Sequence, residues 1–177
     1  MVDVLGFDVG GANTKAAFVS VRNGQLLSAK VAVEYYPVWK QPEKLGKVLL
    51  KLKEQLVGDR LDGLGVTMTA ELSDAYQTKR EGVHQILGCF EKVFVDVPIF
   101  VLNTDAKLEP MEAADREPLK VAAANWAATG WLVAQHLKDC VVVDVGSKTV
   151  IARAYAVIPN TSGGYSTQLI DTVKIVN

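Results

Sequence analysis

Residues 2–21 read VDVLGFDVGGANTKAAFVSV, and this stretch decides the fold. An apolar run over 2–8 ends in aspartate, small residues follow over 10–13, and a second apolar run covers 15–21. The pattern predicts two strands joined by a short turn. Arg22-Asn23-Gly24 then indicates a hairpin, because Asn and Gly both accept positive φ. With a third strand over 25–33, we expect an antiparallel meander.

The strand–turn pattern returns near the other end of the chain. Residues 5–11 read LGFDVGG and residues 141–147 read VVVDVGS. In both, an apolar strand ends in Asp-Val-Gly, and Asp144 follows Asp8 by 136 residues, about one domain length. We therefore expect a first lobe over 1–138 and the start of a related second lobe over 139–177, with the two turns facing one cleft.

Both turns suit a phosphate group. Glycines let the backbone approach an anion, hydroxyls and a lysine add donors, and an aspartate at a strand end can bind hydrated Mg²⁺. One such turn alone is weak evidence, and neither turn has the Walker A or the G-x-G-x-x-G spacing. The predicted phosphate-binding residues are Gly10, Gly11, Thr14, Lys15, Gly146, Ser147 and Thr149, with Asp8 and Asp144 as catalytic residues and metal ligands.

Hydrophobic spacing in the rest of the chain predicts further helices and strands. Pro42 begins a helix that Gly58 ends, and an apolar run over 61–68 predicts a buried strand. The polar stretch 104–118, with two prolines, predicts a loop. We also expect a helix over 81–90, a strand or strand pair over 93–103, a long buried helix over 119–137, a core strand over 140–143 and a last strand over 169–176.

Composition limits the class of protein. The chain has 177 residues, a formal net charge of −1 and 49% hydrophobic residues, which is typical of a folded domain. A net charge near zero gives no general attraction to nucleic acid, and no apolar run approaches the ~20 residues of a membrane span. Cys89 and Cys140 lack metal-ligand spacing, and because the N-terminal residues include Asp3 and Asp8 and no basic stretch, we expect no signal peptide. We expect a cytoplasmic protein without nucleic-acid or membrane partners.

Several motifs together resemble one family. DVGGANTK (8–15) and DVGSKT (144–149) resemble the phosphate motifs of the actin/sugar kinase/Hsp70 ATPase superfamily. With VTMTAEL (66–72), QTKREGV (77–83) and AAANWAATG (122–130), they resemble the tetrahydromethanopterin-linked one-carbon-transfer proteins of the hydantoinase/oxoprolinase group. The resemblance implies an α/β fold with a ribonuclease-H-like mixed sheet. It also implies a synthase step of methanofuran biosynthesis, which joins γ-glutamyltyramine to an aminomethylfuran-methyl diphosphate and releases pyrophosphate.

The resemblance also implies roles for individual residues. Asp8 and the first turn would hold Mg²⁺ and the leaving pyrophosphate, and Glu71 would be a catalytic base or a metal-side carboxylate. ATP is an alternative ligand, although no adenosine motif is present. The predicted substrate-binding residues are Thr67, Thr69, Lys79, Arg80 and Asn125. For Lys79 and Arg80 the alternative is a solvated helix start, and for Asn125, inside an apolar helix, it is a core hydrogen bond.

The second turn departs from the family pattern. Aligned by the aspartates, Val150 and Ile151 stand opposite Thr14 and Lys15, and 28 residues follow Thr149. We therefore expect that the second lobe is shortened, and that the chain self-associates or pairs with a missing second lobe through its exposed cleft face. Whether the chain is an enzyme stays open. The alternatives to the synthase are an ATP-dependent kinase, a hydantoinase/oxoprolinase-like enzyme, and a non-catalytic lobe that binds a small phosphorylated molecule or another chain.

Overall fold

The chain divides into two compact units. A computed structural model describes residues 1–58, 60–137, 139–145, 149–159 and 165–176. Unit 1 covers residues 1–125 and unit 2 covers residues 126–177. The lobe boundary expected between residues 138 and 139 stays a prediction.

Unit 1 is built on a six-stranded mixed sheet. Its strands are β1 (Val2–Val9), β2 (Asn13–Arg22), β3 (Gln25–Tyr35), β4 (Gly63–Met68), β5 (Ile99–Leu102) and β6 (Leu108–Pro110). They lie in the order β3-β2-β1-β4-β5-β6. β1, β4 and β5 are parallel to one another, whereas β2, β3 and β6 run antiparallel to their neighbours. The predicted α/β class with a mixed sheet is confirmed.

Helices cover one face of this sheet and form the core with it. The helices of unit 1 are α1 (Leu45–Leu56), α2 (Lys79–Val93), α3 (Met111–Arg116) and α4 (Pro118–Val121). Leucines at helical spacing along α1 are buried, and so is every second residue from Leu5 to Val9 on β1. The Phe7 ring meets the Phe90 ring of α2 edge-on, with 5.2 Å between centroids. Each such buried side chain contributes about 1.5–3 kcal/mol.

The opening meander agrees with the prediction. β1, β2 and β3 are consecutive antiparallel neighbours, and the turn between β2 and β3 places Asn23 at φ 51° and Gly24 at φ 76°. Two consecutive positive φ values are the conformation that an Asn-Gly hairpin turn favours.

Three other expectations need correction. The stretch 104–118 is not one loop, because it contains β6 and α3. The stretch 93–103 holds one short strand, β5, since α2 extends to Val93. The helix expected over 119–137 is interrupted: α4 ends at Val121, and a separate helix α5 (Asn125–Ala134) follows. The break coincides with Ala123, whose φ of 51° is incompatible with a continuous helix.

Unit 2 contains a second meander. Its strands are β7 (Asp139–Val145), β8 (Thr149–Pro159) and β9 (Tyr165–Val176), paired antiparallel in the order β7-β8-β9. The strands predicted over 140–143 and 169–176 are therefore present, although Val141 and Val143 are exposed rather than in a core. Among the described residues, no helix has the length and apolar character needed to cross a membrane.

Candidate functional site

The turn between β1 and β2 is tightly closed by backbone hydrogen bonds. The Gly10 N–H donates to the Asn13 carbonyl at 3.0 Å, and the Gly11 carbonyl accepts from the Val38 N–H at 2.9 Å. A Cβ on Gly10 would lie 2.8 Å from the Asn13 carbonyl oxygen, so glycine is required by space. The N–H groups of Gly11 and Ala12 make no hydrogen bond within the described part of the chain. They can therefore serve as donors to an anion.

Asp8 lies directly beside this turn, at the carboxyl end of β1. It is opposite Lys15 on β2 and Thr67 on β4. Its Oδ2 accepts a hydrogen bond from Lys15 Nζ at 3.0 Å. Its Oδ1 and the Thr67 Oγ1 are buried, and neither has a hydrogen-bond partner among the residues that the structure describes. Because buried polar atoms usually have partners, these two oxygens are suited to a cation or a donor.

The ion pair between Asp8 and Lys15 is exposed and weak. The side chain of Lys15 is 59% exposed and that of Asp8 is 26% exposed. A pair of this kind contributes at most about 1 kcal/mol. Lys15 can therefore turn from Asp8 to a phosphate oxygen at little energetic cost.

Thr69 also lies close to the turn between β1 and β2, because β1 and β4 are parallel and their carboxyl ends are adjacent. The Thr69 N–H donates to the Val9 carbonyl at 2.9 Å, and its Oγ1 would be 3.9 Å from a Cβ on Gly10. The structure thus brings together six of the predicted site residues, which are Asp8, Gly10, Gly11, Lys15, Thr67 and Thr69.

Thr14 points to the other side of the sheet. It neighbours Lys15 on β2, and successive strand residues face opposite ways. Thr14 is fully buried, and no hydrogen-bond partner for its hydroxyl is found in the described residues. Its phosphate-binding role stays a prediction, with its side chain on the face opposite Asp8.

Glu71 lies in a short 3-10 helix, Ala70–Leu72, that follows β4. Its side chain is 2% exposed, and one carboxylate oxygen accepts the Ala123 N–H at 2.7 Å. Burial raises the pKa of Glu71 above its ordinary value, against the opposing effects of backbone hydrogen bonds and of Lys79. Its role as a catalytic base stays a prediction, because the carboxylate is enclosed and holds a backbone partner.

The remaining predicted binding residues lie at helix starts. Lys79 and Arg80 are exposed at the beginning of α2, where Thr78 accepts the Glu81 N–H at 3.1 Å as the N-cap. Asn125 is the half-buried first residue of α5 rather than a residue inside a long helix. No hydrogen bond joins these three side chains to Asp8 in the described residues. Their roles in binding stay predictions.

The second turn is described only in part. Asp144 lies in β7 and Thr149 in β8, whereas Gly146 and Ser147 lie outside the described residues. In the backbone register Asp144 is opposite Ile151, where Asp8 is opposite Lys15. The correspondence of Ile151 with Lys15, predicted by aligning the two aspartates, is therefore confirmed. The roles of the second turn stay predictions.

Mg²⁺ fits the first turn under one condition. The described residues contain no cluster of three or more His, Cys, Asp or Glu side chains that could hold a metal ion. Mg²⁺ often binds through one or two carboxylates together with substrate phosphates and water. Asp8, with its unpartnered buried Oδ1, meets that requirement only when a phosphorylated ligand supplies further oxygens.

Two polar side chains of unit 1, His84 and Asn103, have partners that the sequence does not predict. His84 has an acidic neighbour, since its Nδ1 lies 2.6 Å from Asp115 Oδ1, 31 residues along the chain. Asn103 is buried at the carboxyl end of β5, where its side-chain oxygen accepts the N–H groups of Asp105 and Lys107. An asparagine directly after an apolar strand is a signal for this kind of turn. The His84 pair has no local signal.

The strand order β3-β2-β1-β4-β5-β6, with helices packed on the sheet, is that of a ribonuclease-H-like unit of the actin-like ATPase fold. The profile of the hydantoinase/oxoprolinase family matches residues 62–169, and the chain belongs to that family. Over 147 residues it is 38% identical to the (4-{4-[2-(gamma-L-glutamylamino)ethyl]phenoxymethyl}furan-2-yl)methanamine synthase of Methanocaldococcus jannaschii. The match covers 82% of this chain and 41% of that protein, so the chain spans about two-fifths of the relative's length.

Solved structures agree on the fold. A Ppx/GppA phosphatase of Aquifex aeolicus superposes with a TM-score of 0.54 at 11% identity, covering 99% of this chain and 52% of that one. The ethanolamine utilization protein EutJ of Carboxydothermus hydrogenoformans gives a TM-score of 0.50 at 15% identity, covering 98% and 51%. At these identities the likeness concerns the fold alone.

Proposed function

We propose that this chain supplies the diphosphate-binding part of an alkyl transferase of methanofuran biosynthesis. The reaction joins γ-glutamyltyramine to an aminomethylfuran-methyl diphosphate and releases pyrophosphate. The observation that carries the proposal is the Asp8 carboxylate beside a glycine turn, with Lys15 at 3.0 Å and two free backbone N–H groups next to it. The name of the archaeal relative supports the substrate class, because it describes a product with a phenoxymethyl group on a furan.

The proposed reaction places charge where this turn has donors. The phenol oxygen bonds to the furan-methyl carbon and releases its proton to water, the carbon–oxygen bond to the diphosphate breaks, and the electron pair of that bond leaves with pyrophosphate. Donors fixed where negative charge develops lower the barrier. Lys15 Nζ and the N–H groups of Gly11 and Ala12 would take that role. Mg²⁺ held by Asp8 would neutralise phosphate charge when bound.

Binding of magnesium pyrophosphate to the purified chain tests the proposal. Titration calorimetry should show saturable binding that requires Mg²⁺. Asp8→Asn removes the metal-ligating charge and should weaken this binding at least about tenfold, or ~1.4 kcal/mol. The matched control is Asp96→Asn, because Asp96 is exposed and lies before the amino end of β5, whereas Asp8 lies at the carboxyl end of the parallel strand β1. That variant should bind like the native chain.

Either of two results would overturn the proposal. One is a native chain that does not bind magnesium pyrophosphate, and the other is an Asp8→Asn variant that binds it as tightly as the native chain. Product analysis separates the alternative activities: an ATP-dependent kinase releases ADP, whereas the proposed transferase releases pyrophosphate from a furan-methyl diphosphate without ATP.

A further inference from the structure

The break between α4 and α5 has no local cause in the sequence. Residues 122–124 are three alanines, and alanine is the residue with the highest helix propensity. Yet α4 ends at Val121, and Ala123 adopts φ 51°, which a residue with a Cβ rarely enters. A conformation that the local sequence disfavours must be held by a contact from elsewhere in the fold.

That contact comes from Glu71. Its carboxylate accepts the Ala123 N–H at 2.7 Å, and 52 residues separate the two in sequence. A hydrogen bond from an amide to a buried carboxylate is stronger than one between neutral groups. It also gives the Ala123 N–H a partner outside the helix ladder. Ala123 lies two residues before Asn125, the last residue of unit 1.

A glycine in α2 makes room for Glu71. A Cβ on Gly82 would lie 2.7 Å from both Cα and Cβ of Glu71 and 2.9 Å from the Tyr76 ring. Glycine inside a helix costs about 1 kcal/mol relative to alanine. The sequence therefore departs from local preference twice, at Gly82 and at Ala123, and both departures lie in contact with Glu71.

We propose that Glu71 is a positioning residue, whose carboxylate holds the left-handed break at Ala123 and so fixes the backbone of the segment that joins the two units. This role differs from the general-base role that the family resemblance implies. A base must exchange a proton, whereas a positioning residue needs only an acceptor oxygen of the right reach. Glutamine keeps such an oxygen and cannot act as a base, so Glu71→Gln separates the two roles.

Hydrogen exchange of the full chain tests the proposal. In Glu71→Ala, exchange at residues 122–126 should become at least about tenfold faster, because the Ala123 N–H loses its acceptor. In Glu71→Gln, exchange there should stay within about threefold of the native rate. The matched control is Glu54→Ala on the exposed surface of α1, which should leave exchange at 122–126 unchanged.

Two further measurements keep the proposal testable if the Glu71→Ala chain does not fold. Adding Ala123→Gly removes the cost of the left-handed conformation, so the double variant should recover part of the lost stability. In the native chain the amide resonance of Ala123 should shift as the Glu71 carboxyl titrates, and Glu71→Gln should abolish that shift.

The proposal is overturned if Glu71→Gln loses protection as Glu71→Ala does, or if the Ala123 resonance does not respond to pH. These measurements use no ligand, so their failure is distinct from failure of magnesium pyrophosphate binding.

Discussion

The two aspartate-ended hairpins of this chain share a register and differ in their chemistry. In the first, Asp8 is opposite Lys15 and Val9 is opposite Thr14. In the second, Asp144 is opposite Ile151 and Val145 is opposite Val150. The same backbone frame therefore carries a cation beside the aspartate in one hairpin and an apolar residue in the other.

The hairpins also differ in what flanks them. β1 has a parallel neighbour, β4, which brings Thr67 beside Asp8 and Thr69 beside Gly10. β7 lies at the edge of its described three-stranded sheet, with β8 as its neighbour there. A repeated sequence motif thus reproduces a hairpin, because a hairpin is local. The polar side chains around Asp8 come in part from β4, which is distant in sequence, and so the motif alone does not reproduce them.

The largest effect is expected where α2 packs against Glu71. Gly82→Ala puts a Cβ 2.7 Å from Glu71 and should lower the free energy of unfolding by about 2–3 kcal/mol. The control is Gly88→Ala on the same helix, where no atom lies within 4 Å of the added Cβ. That variant should stabilise the chain by about 0.5–1 kcal/mol. Urea titrations of both variants measure the difference, and an equal loss in both would contradict the packing described.

The next effect concerns the first turn itself. Gly10→Ala places a Cβ 2.8 Å from the Asn13 carbonyl oxygen and should cost about 1–2 kcal/mol of stability. Gly11→Ala meets no atom within 4 Å and should change stability by less than about 0.5 kcal/mol. Thermal melts compare the two, and an insensitive Gly10 would mean that the first turn is no more constrained than an ordinary hairpin.

An exchange between the hairpins tests whether they are equivalent in binding. Lys15→Ile gives the first hairpin the residue found in the second and should weaken magnesium pyrophosphate binding about tenfold, or ~1.4 kcal/mol. Ile151→Lys should change the affinity by less than about twofold, because β7 lacks a flanking strand like β4 in the described sheet. A gain from Ile151→Lys as large as the loss from Lys15→Ile would show that the hairpins are interchangeable.

The smallest effect is a pH dependence of the folding stability of unit 1, which Glu71 causes. Burial raises its pKa in the folded chain above the ordinary 4.5, so the folded state holds the proton more tightly than the unfolded state. The stabilising contribution of the protonated form is therefore lost as the pH rises from about 4.5 through the raised pKa. Glu71→Gln should therefore gain stability relative to the native chain as the pH rises from 4 to 7. Denaturation at both pH values measures it, with Glu54→Gln as the unaffected control.

Self-association stays a prediction, and unit 1 has one surface that bears on it. The side chains of Val31, Val33 and Tyr35 are exposed along β3, at the edge of the six-stranded sheet. Edge strands with apolar side chains favour contact with other chains.

Much of the site was predictable because its signals are local. Alternating apolar residues predict β1 and β2, Asn23-Gly24 predicts the turn that follows, and Gly10 beside Asp8 predicts a turn with room for an anion. The same alternation separates Thr14 from Lys15, so the opposite orientations of these neighbours could have been inferred as well. Parallel pairing of β1 with β4 was not a local signal, and the nearness of Thr67 to Asp8 follows from it.

The sequence alone determined the opening meander, the aspartate near the end of the first strand of each hairpin and the loss of the lysine from the second hairpin. These features depend on side-chain alternation and turn chemistry within a few residues. Only the tertiary structure decided that three alanines interrupt a helix and that Glu71 is enclosed with its carboxylate on the Ala123 N–H. The reason is physical: a helix break and a buried carboxylate are stabilised by partners distant in sequence, and local propensity carries no information about such partners.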